Sequence, residues 1–143
     1  MKSSIVLQVI LFIAAAMLIG VGIFSLTNPI AFVARNGVDV AGNLSLLNDI
    51  RGNGGLMLGG GLVILLGVIF SRIRYASTVT AALLYLFFGL GRVVSILVDG
   101  MPSDTLVKAT VVELVVGVVV LIAYFRFRDP AQFRQPTTAP ANA

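Results

Sequence analysis

The sequence predicts an all-α integral membrane protein, a four-helix bundle with its N and C termini cytoplasmic. Three observations carry that prediction. Of the 143 residues, 58% are hydrophobic and 11% charged, whereas soluble domains carry about 25% charged residues. The apolar residues fall into four runs, each long enough for a span of about 20 residues. The basic residues gather at the ends of those runs, more on one side than on the other. Four spans with short connections nearly exhaust the chain, so one domain is expected.

The first run is Ile5 to Leu26, broken by Gln8, Gly20, Gly22 and Ser25. A cleavable signal peptide has an apolar region of about 7–15 residues before a small-residue cleavage site. This run is longer and reads as an uncleaved span, 5–26. Thr27 to Asn43 is the longest connection. Asn28-Pro29 suits a helix start, with Asn as cap and Pro in the first helical position. Residues 30–33 then lie in the interface before Asn36-Gly37 turns the chain. The second span covers 46–70 and is rich in glycine in its first half. Ser71 to Arg74 forms a tight basic turn. The third span, 75–98, is closed by Asp99-Gly100-Met101-Pro102, and the fourth, 106–125, takes Ser103 or Asp104 as its cap. From 129 to 143 the composition shifts to Asp, Pro, Gln, Thr and Ala, which predicts a flexible polar tail.

Orientation follows from the basic residues in the short loops. Lys2, Arg72, Arg74, Arg126, Arg128 and Arg134 fall on one side, Arg35 and Lys108 on the other. The side richer in Lys and Arg is the cytoplasmic one, which puts both termini inside. The net charge of +4 therefore reports topology, and no nucleic-acid partner is expected. There is no Cys and no His. Disulfides, thiolate chemistry and the usual metal ligands are thereby removed, so neither a metal nor a cofactor is expected.

Three charges lie well inside apolar sequence: Arg51, Arg92 and Glu113. At 1.5 Å per residue they sit about 8, 10 and 13 Å below the outer ends of their spans. Helical spacing gives each of them a polar, small-residue stripe. On the third span the stripe runs Tyr85, Gly89, Arg92, Ser95, Asp99. On the fourth it runs Thr110, Glu113, Gly117, Tyr124, and on the second Asn48, Arg51, Gly55, Gly59. A charge deep in a span costs about 2.5–3.5 kcal/mol on insertion scales, so mutual pairing is expected. Glu113 between Arg51 and Arg92 leaves one surplus positive charge, suited to a carboxylate, a phosphate headgroup or a polarised carbonyl. The same cluster also reads as a structural staple that fixes helix register. Tyr85, Tyr124 and Gln8 either extend a thin polar track or make interhelical hydrogen bonds.

The glycine run of the second span lacks a Gly-Lys-Ser/Thr ending and a preceding strand, so it is not a phosphate loop. It predicts close helix packing through Gly52, Gly55 and Gly59.

The segments NDIRGNGGLMLGGGL at 48–62, GLGRVVSILVDGMPS at 89–103 and VVELVVGVVVL at 111–121 carry a family resemblance. They resemble small bacterial four-helix membrane proteins of a domain-of-unknown-function family related to the DoxX-like superfamily. By position its marks fall on Arg51, Gly52, Gly54, Gly55, Arg92 and Glu113. The resemblance implies architecture and, through the DoxX-like proteins, an accessory part in membrane redox systems. Three functions follow as expectations. The first is a non-catalytic accessory subunit whose partners are the bilayer and other membrane protein subunits. The second is a binding protein or carrier for an anionic lipid, quinone or small carboxylate at the Arg/Arg/Glu site. The third is a lipid-modifying enzyme using Glu113 as general acid/base.

Overall fold

The computed structural model describes residues 4–128; Lys2, Arg134 and the predicted tail at 129–143 lie outside the described residues. The described residues form five helices: α1 (Ile5–Thr27), α2 (Pro29–Ala34), α3 (Leu44–Ile69), α4 (Arg74–Asp99) and α5 (Asp104–Phe127). All but α2 are long and apolar enough to cross a membrane. Their outward faces carry large apolar side chains such as Leu97, Phe87 and Ile122, which suits a surface wetted by lipid rather than water.

Local chemistry sets the element ends. Asn43 starts α3 by accepting a hydrogen bond from the Leu46 N–H at 3.0 Å, so α3 begins before the span expected at 46. Pro29 opens α2 in the position where its missing N–H costs nothing; the preceding Asn28 turns its side chain to the Thr27 hydroxyl instead of capping. Ser103 precedes α5 and accepts from the Leu106 and Val107 N–H groups through its backbone carbonyl, not its hydroxyl. Gly37, Gly42 and Gly100 take left-handed φ values of 77°, 80° and 96°, which a side chain would disfavour.

Helices α1 and α3 pack as one close pair and α4 and α5 as another. In the first pair Gly22 lies against backbone: a Cβ there would come within 2.6 Å of the Leu58 nitrogen and 2.8 Å of the Gly54 oxygen. Gly61 is similarly pressed against Ile19 and Ala15. The pairs meet around Leu7, Leu11, Ala14, Ile64, Ala81, Tyr85 and Val120, with Ala123 nearby. That core occupies the half of the bundle holding the two chain ends. The opposite half is splayed: none of residues 44–53 of α3 and none of 90–99 of α4 is buried. The helix α2 lies across this open end, its Phe32 ring edge-on to Phe24 at 5.9 Å.

Side-chain to backbone hydrogen bonds tie the helices together. Ser25 donates to the Ile50 carbonyl at 2.9 Å, Ser77 to Val63 at 2.7 Å, and Tyr85 to Ala14 at 2.7 Å. Each is worth roughly 0.6 kcal/mol between membrane helices. Arg74, grouped by sequence with the basic turn, is buried. Its Nε and Nη2 donate to the Gly67 and Val68 carbonyls at 3.0 and 3.2 Å, closing the C-terminal end of α3.

Candidate functional site

The splayed half of the bundle contains the ion pair that sequence depth suggested. Gly89 and Gly117 let α4 and α5 approach closely, since a Cβ would come within 2.7 Å of Leu114 at the first and 2.8 Å of Leu86 at the second. That approach sets Arg92 against Glu113. The Arg92 Nε donates to Glu113 Oε2 at 2.9 Å, and the side chains keep 27% and 16% of their exposure. One turn earlier on α4, the Phe88 ring lies 5.0 Å from the guanidinium carbon, a cation–π contact that fixes the plane of the head. Among the described residues no group accepts from the Arg92 Nη1 or Nη2.

Two neighbouring spaces flank this pair. A cleft of about 480 Å³ opens between α1, α3 and α4 beneath α2, and Arg92, Asn53, Ser95, Phe32 and Leu106 contribute to its walls. Deeper in the bundle lies an apolar chamber of about 150 Å³, bordered by Leu18, Leu56, Tyr85, Ala109, Val112 and Glu113. Met57 and Phe88 line both. Arg92 therefore looks into the wider space, which has the more polar groups, and Glu113 borders the narrower, almost wholly apolar one. The pattern is that of a small-molecule site: mostly apolar walls with a few convergent polar groups.

The remaining predicted residues are placed as follows. Arg51 does not join the pair. Its side chain is exposed and Nε donates to the Leu26 carbonyl at 3.3 Å, so the expected Arg/Arg/Glu cluster is an Arg/Glu pair. The reason is rotational: the inward face of α3 is centred on Gly54, Gly61 and Ile64, and Arg51 lies well to one side of it. Asn48 is exposed. Ser95 lines the cleft but donates to Asp99 at 3.0 Å, and Thr110 is buried with its hydroxyl on the Leu106 carbonyl. Tyr85 borders the chamber with its hydroxyl held by Ala14, while Tyr124 pairs with Tyr75 at 3.3 Å near the terminal end.

The packing glycines also need correction. A Cβ at Gly52, Gly55 or Gly59 would meet nothing within 4 Å. With about 100° between successive residues, this stripe lies on the far side of α3 from Gly54 and Gly61. Close packing falls instead to Gly22, Gly54, Gly60, Gly61, Gly67, Gly89 and Gly117. Asn53, Met57 and Phe88 were not singled out from the sequence. Phe88 is recoverable as the residue one turn before Arg92, and Asn53 as the amide inside the glycine run.

Residues 6–124 match the family described as a domain of unknown function, DUF4345. The chain belongs to that family. The match spans all four long helices, and with them both Arg92 and Glu113. No curated protein and no solved structure matches the chain.

Proposed function

We propose that this DUF4345 protein binds a single lipid-like molecule within the membrane, with the polar head at Arg92 and the chain in the apolar chamber. One observation carries the reading. The free Nη edge of a half-buried arginine faces a cleft that shares the Met57 and Phe88 side chains as walls with an apolar space. A guanidinium with unused donors in low-dielectric surroundings favours a ligand that accepts hydrogen bonds. The test fills the chamber without touching a charge. Lipids extracted from purified wild-type protein and from Ala109→Phe are compared by mass spectrometry. A molecule enriched on the wild type and lost from the variant supports the proposal; the same lipid profile on both counts against it.

A second reading, the accessory subunit, is favoured by a separate feature. Asn48, Gly52, Gly55 and Gly59 form an exposed stripe of α3, and small residues beside a hydrogen-bonding side chain are how membrane helices associate. Gly55→Leu would then strip a co-purifying polypeptide from the protein while leaving the fold intact. The bacterial inner membrane, with both termini cytoplasmic, belongs to the same proposal and is supported by the basic residues Arg72, Arg126 and Arg128 at that end. Kinship with the DoxX-like proteins rests on the resemblance of the 48–62, 89–103 and 111–121 segments.

A further inference from the structure

Resting on the binding reading above, we infer that the ligand's head is uncharged and presents carbonyl oxygens, as in a quinone or a neutral ester lipid. Charge balance is the first argument. The charged residues bordering the cleft and chamber are Arg92 and Glu113, joined at 2.9 Å. Among the described residues, no second cation that would favour an anionic head borders either space. Arg51 is exposed and holds the Leu26 carbonyl. Arg35 stacks on the Phe24 and Phe32 rings, 4.8 and 5.6 Å from their centroids. An anionic head at Arg92 would place two negative charges against one positive charge where the dielectric is low, and like charges crowded in that way repel strongly.

The hydrogen-bond inventory is the second argument. Ser25 and Ser95 line the cleft, but their hydroxyl protons are already given to the Ile50 carbonyl and to Asp99. What remains are the Arg92 Nη groups and the Asn53 amide, which makes no hydrogen bond to the described residues. Arg has donors and no acceptor, and the Asn53 amide adds two donors and one acceptor oxygen, so donors predominate. A ligand that satisfies them supplies acceptor oxygens. The apolar walls of the chamber then take a hydrocarbon chain. A neutral carbonyl head joined to a chain meets both conditions.

The experiment titrates the detergent-solubilised wild-type protein with three probes: decylubiquinone, monoolein and oleate. The two neutral probes differ in the source of the carbonyl, and oleate carries monoolein's chain on a carboxylate. The expected result is saturable binding of a neutral probe, with oleate at least about tenfold weaker, equivalent to roughly 1.4 kcal/mol. Binding by decylubiquinone alone assigns a quinone, and binding by monoolein alone assigns an ester lipid. Glu113→Gln leaves Arg92 as a net cation, and its preference shifts toward oleate by about the same factor. If that variant does not fold, the wild-type comparison decides alone. Oleate binding as tightly as the neutral probes overturns the inference and leaves the binding reading standing. Failure of all three to bind takes both down.

Discussion

At the residue scale, the two members of the ion pair are not equivalent. Removing Arg92 leaves a carboxyl that can neutralise itself by taking up a proton. Removing Glu113 leaves a guanidinium that cannot lose its charge in a site where it keeps about a quarter of its exposure. Glu113→Gln is therefore expected to destabilise the bundle more than Arg92→Gln. The double variant should recover part of the loss, because it strands neither charge. Unfolding by denaturing detergent across the four proteins measures this, and equal losses for the two single variants would show that the pair is indifferent to which charge is left. Tyr85→Phe is a milder change. It removes a hydroxyl at 2.7 Å from a carbonyl that also belongs to the α1 ladder, and a loss of roughly 0.6 kcal/mol is expected. Depth and spacing made Arg92 and Glu113 readable as partners from the sequence. They could not place Arg51, because its reach depends on how α3 is rotated, and glycine on both faces of that helix hides the rotation.

At the element scale, two contacts decide how the helices close. Gly22→Ala drives a methyl into the Leu58 nitrogen and the Gly54 oxygen, both backbone atoms with no rotamer to yield. Overpacking of this kind costs about 1–3 kcal/mol. Gly55→Ala meets open space and should be neutral or slightly stabilising through helix propensity. The same detergent unfolding assay separates the two, and a reversed order would mean that α3 packs with its other face. Arg74 is the second contact. Losing its bonds to Gly67 and Val68 leaves the last carbonyls of α3 uncapped beside buried Ser77 and Thr78. Arg74→Ala should cost about 1.5–3 kcal/mol, with Arg74→Lys unable to reach both carbonyls and recovering little. The helices themselves were legible because long apolar runs, the turns at Asn36-Gly37 and Asp99-Gly100, and the basic loop punctuate the chain. Their caps were less so: Asn43 caps α3 through its amide oxygen, whereas Asn28, expected to cap α2, makes no such bond.

At the scale of the whole molecule, the bundle is asymmetric along its length. The half holding the chain ends is closed by the Leu7, Leu11, Ile64 and Val120 core, and the other half opens into the Arg92 cleft beneath α2. A protein needing only to span a bilayer has no use for a splayed half containing an ion pair, whereas a binding protein needs both a rigid base and an accessible space. Charge depth placed Arg92 and Glu113 in the outer half, but the splaying itself was not readable in the sequence, since it depends on the angles at which the helices meet. Native mass spectrometry of the protein released gently from its own membrane tests the central claim most directly. The wild type should carry one discrete added mass in the range of a single lipid, and Arg92→Met, folded and present at the same level, should have lost it. A wild-type chain without added mass, or an Arg92→Met variant that keeps it unchanged, would contradict the assignment of Arg92 as the binding site.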